Sequence, residues 1–177
     1  MQYQRKLVLY IAMSLDGYIA TKNDDLSFLS VVEKEGEDYG YQAFTDTVDT
    51  VILGRKTYDK VMTLVDTFPH AEKETYVITR TQQPSIGNVN FYTGDLNDLV
   101  SGLKSKPGKT IFCDGGAELV NELLKLDIFD DLIISIIPVL LGDGIPLFKP
   151  GRHEGKLKLV SSKSFETGLV QVHYLRD

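Results

Sequence analysis

Three strand-like segments end in residues suited to holding an anion, and carboxylates beside them suit proton transfer. Phe112-Cys113-Asp114-Gly115-Gly116-Ala117-Glu118-Leu119 runs from an apolar strand through two glycines into a helix start. Glycines there let backbone approach a ligand closely, and helix N-terminal amides attract negative charge; a plain tight turn is the other reading. Val51-Ile52-Leu53-Gly54-Arg55-Lys56-Thr57-Tyr58 repeats the order of strand, glycine and helix start, now with two cations in the first turn. The positive end of a helix dipole disfavours cations. An external anion would complete this site, with Arg55 forking onto a phosphate; the alternative is a pair of solvated bases beside a turn. Tyr76-Val77-Ile78-Thr79-Arg80-Thr81 adds a third cation between hydroxyls. Together the three ends point to one extended phosphate-containing ligand across the carboxyl edge of a sheet.

Reduction of a C=N or C=O bond by hydride transfer needs a proton for the heteroatom, from an acid of raised pKa or an ordered water. Asp114, Asp38 and Asp16 are the candidate acids. Asp114 ends a buried strand, where an uncompensated carboxylate is costly, so it ranks first; an N-cap for the following helix is its equal alternative. Asp16, before Gly17, also suits a turn. His70, His153 and His173 lack metal-ligand spacing and read as surface histidines, so no metal is expected. Gly102-Leu103-Lys104-Ser105-Lys106-Pro107-Gly108-Lys109-Thr110 imitates a P-loop, but with five residues between its glycines rather than four, and it runs from helix to strand. It reads as a turn with solvated lysines.

These residues need a sheet to gather them. Candidate strands are Lys6–Met13, Thr50–Leu53, Thr75–Thr79, Val89–Tyr92, Thr110–Cys113, Asp131–Pro138, Leu157–Phe165 and Leu169–Leu175, and candidate helices are Glu37–Thr47, Lys56–Met62, Leu96–Leu103 and Ala117–Leu126. Alternation of β-branched runs with helical spacing predicts an α/β sheet with crossover helices. The short Glu166-Thr167-Gly168 link predicts an antiparallel C-terminal hairpin, hence a mixed eight-stranded sheet flanked by about four helices. The loop from Leu141 to Gly155 mixes apolar with turn residues and should pack, either as a core plug or as a subunit contact.

The chain has 177 residues, 42% hydrophobic and 25% charged, which fits one globular domain over residues 1–177. A single cysteine, Cys113, excludes an internal disulfide. The net charge of −6 without a basic run argues against nucleic-acid binding. The N-terminal apolar run, Leu7–Met13, suits a strand rather than a signal peptide, and Leu132–Leu141 is half the length of a membrane helix. A cytoplasmic protein with a small-molecule substrate and no membrane partner is expected, and the Ile133–Leu141 run with its loop suits a homodimer contact.

Ala12-Met13-Ser14-Leu15-Asp16-Gly17-Tyr18-Ile19-Ala20, Leu53-Gly54-Arg55-Lys56-Thr57-Tyr58, Asp114-Gly115-Gly116 and the stretch Ile137-Pro138-Val139-Leu140-Leu141-Gly142-Asp143-Gly144-Ile145-Pro146-Leu147-Phe148 resemble the dihydrofolate-reductase-like superfamily. The resemblance spans essentially the whole chain and is nearest to relatives of the reductase domain of the bifunctional riboflavin-biosynthesis deaminase/reductase. It implies the three-layer fold of that superfamily and an NADPH-dependent reductase of a small heteroaromatic or carbonyl substrate. Gly54, Arg55, Lys56 and Thr57 would meet the cofactor phosphates, and Thr79 and Arg80 the adenosine end with its 2′-phosphate. Gly115, Gly116, Ala117 and Glu118 would take the pyrophosphate and nicotinamide side, with Ala12, Gly17 and Ile19 bordering the nicotinamide. Riboflavin-pathway reductases carry Asp-Asp-Pro after the second strand, where this chain reads Gly-Arg-Lys-Thr-Tyr-Asp, which implies a diverged substrate. In dihydrofolate reductases a first-helix carboxylate holds the pterin, a place that Asp38 would fill. A dihydrofolate reductase and a non-catalytic dinucleotide-binding module are the competing readings.

Overall fold

The computed structural model describes residues 4–177; residues 1–3 of the domain expected over 1–177 lie outside the described residues. Eight strands form one sheet: β1 (Leu7–Ser14), β3 (Val48–Gly54), β4 (Glu74–Ile78), β5 (Val89–Tyr92), β6 (Thr110–Gly115), β7 (Asp131–Ile137), β9 (Leu157–Ser164) and β10 (Val170–Arg176). Their order is β5-β4-β3-β6-β1-β7-β10-β9. All pairings from β5 to β7 are parallel, and β10 is antiparallel to both β7 and β9. The sheet is thus mixed, with the antiparallel C-terminal hairpin that its short link implies; Gly168 closes the turn with a φ of 86°, a left-handed conformation natural to glycine.

The central strands are apolar on both faces because helices cover both. On one face Leu7, Leu9, Ile111, Cys113 and Ile52 pack under α3 (Leu96–Lys104) and α4 (Ala117–Lys125), which present Leu99, Val100 and Leu103, and Leu119, Val120 and Leu123. Asp95 caps α3 by accepting the Asp98 amide at 3.0 Å. On the other face Val51, Leu53, Val77 and Phe112 pack with Tyr58 of α2 (Arg55–Leu64) and Phe44 of α1 (Tyr41–Thr45). A third cluster joins Ile137 and Leu169 to Phe28 and Val32 of a 3₁₀ segment, Ser27–Val32.

Several expectations are corrected. The helix predicted over Glu37–Thr47 shrinks to α1, because Tyr39 and Gly40 take left-handed φ values of 57° and 82°, and the 3₁₀ segment precedes it. The strand predicted to Pro138 stops at Ile137. A second sheet pairs β2 (Tyr18–Ala20) with β8 (Ile145–Pro146), each too short to leave a periodic signature. His70 is buried rather than on the surface, and His173 is partly covered, with Nε2 3.1 Å from Asp131 Oδ2. Lys104 is no solvated lysine: it pairs with Asp130 at 2.6 Å and donates to the Ile128 carbonyl at 3.0 Å.

The loop after β7 packs as a core plug. Leu147 is fully buried, its amide donating to the Gly17 carbonyl at 2.9 Å. The buried Asn121 amide donates to the carbonyls of Ala117 (2.6 Å) and Leu147 (2.8 Å) and accepts the Lys149 amide at 2.8 Å. Asn121 thereby ties the first turn of α4 to this loop.

Candidate functional site

Because β4, β3 and β6 are parallel neighbours, their C-terminal ends lie side by side. The fold therefore brings Gly54, Thr79–Arg80 and Gly115–Gly116 to one sheet edge, beside the end of β1 and the turn carrying Asp16 and Gly17. Gly115 sits at φ 95°, and the Gly115–Gly116 peptide is cis. Backbone and helix meet closely here: a Cβ on Gly116 would stand 2.9 Å from Thr57 Oγ1. Gly54 and Gly116 are the N-caps of α2 and α4, and neither helix has a side-chain cap. The first-turn amides of both are thus available to an anion.

The cations around this edge differ in freedom. Arg55 Nε donates to Asp59 Oδ1 at 2.8 Å, and its guanidinium lies 5.5 Å from the centroid of Phe91. Lys56 reaches Glu118 of α4 at 3.4 Å, an exposed pair linking the two helix starts. Arg80 makes no ion pair among the described residues, and it follows Thr79, whose Oγ1 accepts the Thr81 amide at 3.2 Å. Ala12 lies on β1 opposite Ser135, while Ile19 packs against the core under α4. Ala117 is buried in the first turn of α4.

The three acids sit in different environments. Asp16 is fully exposed; its oxygens accept from Ser14 Oγ (2.6 Å) and from the amides of Leu141 (3.1 Å) and Gly142 (2.7 Å), which hold its pKa below the ordinary value. It staples the β1–β2 turn to the loop after β7. Asp38, also exposed, accepts the amides of Gln42 and Gly40, both at 2.9 Å, and is likewise held low. Both of its oxygens thus serve the start of α1. Asp114 is the opposite case. It is partly buried, and desolvation pushes its pKa up to about 7. It caps no helix, since the N-cap of α4 is Gly116.

Asp114 shares the sheet face of Phe112, two residues back, because strand side chains alternate. Over that face lies an aromatic group that sequence patterning missed. Tyr10 stacks on Phe44 with centroids 4.5 Å apart and meets Tyr41 edge-on at 5.6 Å. Tyr41 Oη lies 3.4 Å from His70 Nε2, and His70 in turn meets Phe112 edge-on at 5.8 Å. Desolvation, then the charges of Asp114 and Tyr10, push the Tyr41 phenol up to about 12. Burial and then Lys73 hold the His70 imidazole below its ordinary value. The one hint in the sequence was the aromatic setting of Phe68-Pro69-His70, which speaks for burial more than for a site.

No group of His, Cys, Asp or Glu among the described residues is arranged to hold a metal ion, and no helix there is long and apolar enough to cross a membrane.

The comparisons with known proteins place this geometry. A relative in Bacillus subtilis (strain 168), the uncharacterized protein YwjB, is 45% identical over 174 residues, covering 98% of this chain and 99% of that protein. The crystal structure of a putative riboflavin biosynthesis protein from Shewanella sp. PV-4 superposes with a TM-score of 0.88 at 30% identity, covering 97% of this chain and 99% of that one. Dihydrofolate reductase from Enterococcus faecalis, solved with NADP(H) and RAB-propyl, superposes with a TM-score of 0.70 at 17% identity, covering 100% of this chain and 99% of that one, and shows the fold to be dihydrofolate-reductase-like. The family model of the RibD C-terminal domain matches residues 5–171. With its mixed sheet and the glycine-bearing edge above, the chain is a reductase-like member of the RibD C-terminal domain family.

Proposed function

We propose that this protein is an NADPH-dependent oxidoreductase that passes a hydride to a small heteroaromatic or carbonyl substrate, with Asp114 as the proton donor. One observation carries the reading: a desolvated carboxyl with a pKa of about 7 stands next to the Gly115–Gly116 turn, at the edge where Gly54, Thr57 and Arg80 also lie. The residues fit a dinucleotide phosphate. Two helix starts lack side-chain caps, the Gly116 backbone approaches Thr57 within a space that a methyl would fill, and Arg55, Lys56 and Arg80 supply cations. Gly54, Arg55, Lys56 and Thr57 would hold phosphates, Thr79 and Arg80 the 2′-phosphate end, and Gly115, Gly116, Ala117 and Glu118 the pyrophosphate and nicotinamide side, with Ala12, Gly17 and Ile19 near the nicotinamide ring. When bound, the nicotinamide supplies the hydride.

Asp114, protonated near neutral pH, gives its proton to the substrate heteroatom as that atom gains negative charge. The turn of Gly115 and Gly116 positions reactants, and the plugged loop around Leu147 excludes water from one side. Asp16 and Asp38, whose oxygens are engaged by neighbouring amides, serve as scaffold for the loop and for α1. Fluorescence titration with NADPH and NADH, followed by NADPH oxidation against dihydrofolate, a ribosylaminopyrimidinone and a carbonyl panel, tests the proposal. Binding of neither nucleotide would sink it, and binding without turnover on any substrate would leave a non-catalytic dinucleotide module in its place.

A further inference from the structure

The C-terminal hairpin stands at the far side of the sheet from β3 and β4, yet it grips the approach to α1. Gln171 of β10 lies opposite Ser135 of β7, and Ser135 lies opposite Ala12 of β1, so the three form one row across the sheet. From that row the Gln171 side-chain nitrogen reaches Tyr10 Oη at 3.1 Å, Ser135 Oγ at 3.1 Å and the Tyr39 carbonyl at 3.3 Å. A carbonyl only accepts, so the amide must present its nitrogen here, with two hydrogens for three acceptors. Tyr10 Oη donates to the same carbonyl at 3.2 Å. The hairpin turn holds the rest of Tyr39: the phenol oxygen lies 2.8 Å from Thr167 Oγ1, and the ring meets Phe165 edge-on at 4.9 Å.

Tyr39 matters because α1 starts just after it. At φ 57° it is left-handed, a conformation that a residue with a side chain keeps only where its surroundings hold it. With five residues, α1 is too short to be stable by itself. Asp38 serves its first amides, and Gln171 acts on the carbonyl that precedes it. The helix carries Tyr41 and Phe44, which pack on Tyr10, and Phe44 meets Phe112 edge-on at 5.1 Å. Phe112 shares its sheet face with Asp114. We infer that Gln171 is a positioning residue for the substrate: by holding the Tyr39 carbonyl and the Tyr10 hydroxyl, it fixes α1 and its aromatic layer over the face that carries Asp114. It acts through Tyr39 and Tyr10, from a strand outside the phosphate-binding edge. Calling the ligand a substrate rests on the reductase reading.

Gln171→Met keeps the length of the side chain and loses its donors. In the cofactor-free variant, hydrogen exchange should rise by about tenfold or more at the Phe44 and Asp46 amides, which close the turns of α1, and stay unchanged in β1 and β6. In NADPH oxidation with whichever of dihydrofolate, the ribosylaminopyrimidinone or the panel carbonyls wild type turns over, KM for that substrate should rise by about tenfold or more, while the Kd for NADPH stays within about twofold. Gln171→Glu supplies a rescue, because the carboxylate repels the Tyr39 carbonyl whereas the protonated acid can donate to it. Its kcat/KM relative to wild type should climb as pH falls from about 8 toward about 5. Unchanged exchange in α1, an unchanged substrate KM, a matching loss of NADPH affinity, or a flat pH ratio for Gln171→Glu would each overturn the inference. Circular dichroism identifies a folding defect, and Gln171→Glu at two pH values keeps the test decisive if Gln171→Met does not fold. Turnover of no panel member would sink the reductase reading, and the exchange result, obtained without cofactor or substrate, is read apart from it.

Discussion

Gly116 and Thr57 face each other so closely that a methyl group on Gly116 would stand 2.9 Å from the Thr57 hydroxyl oxygen. Gly116 has φ −80°, so its backbone suits any residue and the demand for glycine is one of space. Gly116→Ala should destabilise the fold by about 1–3 kcal/mol, the usual cost of overpacking. Adding Thr57→Ala should recover most of that loss in thermal denaturation. NADPH affinity should fall in both variants, since the added methyl displaces the Thr57 hydroxyl in the first and the second lacks that hydroxyl altogether.

Asp114 links stability and activity to pH. Its folded pKa of about 7 lies above the ordinary carboxylate value of 3.8, so the native state holds the proton longer than the unfolded chain. Stability from this group is full below about pH 4 and declines as pH rises toward about 7. Asp114→Asn removes the titration, so it should gain on wild type by on the order of 1–3 kcal/mol between acid and mildly alkaline pH. Urea denaturation at several pH values checks this. In the same variant the alkaline fall of kcat, expected above about pH 7 in wild type, should disappear along with most of the rate.

Arg80 and Arg55 should differ as 2′-phosphate ligands. Arg55 is engaged by Asp59 and Phe91, whereas Arg80 has no ion-pair partner among the described residues. Arg80→Ala should therefore lower NADPH affinity by about tenfold or more while leaving NADH binding nearly unchanged. Arg55→Ala should have the smaller effect in the same fluorescence titration.

Asn121 is buried and makes all of its bonds to backbone, two as donor and one as acceptor. Asn121→Ala leaves the Leu147 carbonyl and the Lys149 amide without their partner, at a cost of about 2–3 kcal/mol. The melting temperature should drop accordingly, and hydrogen exchange should rise at Leu147 and Lys149 before it rises in the central strands.

Asp16 pins the loop after β7 through the amides of Leu141 and Gly142. Asp16→Ala should release that loop, so limited proteolysis should cut near residues 140–144 faster than in wild type, with little change in the global melting temperature. An unchanged cleavage pattern would show that β2–β8 pairing, the Leu147–Gly17 bond and Asn121 hold the loop without Asp16.

The legible part of this fold was carried by periodicity. Apolar runs such as Leu7–Met13 and Thr110–Cys113 pack against both layers of helices, and the glycines that end β3 and β6 mark a change of direction that glycine's freedom predicts. Elements of two or three residues, β2 and β8, escape any such pattern because their partner lies over a hundred positions away. Left-handed Tyr39 cut short a helix that propensity favours, its hydroxyl bonded to the Val32 carbonyl and to Thr167. His70 was misplaced for a related reason: its burial depends on Phe68 and Phe112, one of them far along the chain. The anion-binding edge was legible residue by residue, whereas Tyr41 was not, since only tertiary structure places its hydroxyl beside an imidazole.

The position of β1 has a further consequence during synthesis. Within this sheet it is made before any other strand, yet its two neighbours, β6 and β7, begin at Thr110 and Asp131. A nascent chain therefore carries an apolar ribbon with both edges unpaired until β6 and β7 have left the ribosome. Throughout that interval Leu7, Leu9 and Ile11 are open to chaperones and to other unfinished copies, so the step most exposed to aggregation precedes the formation of any part of the site.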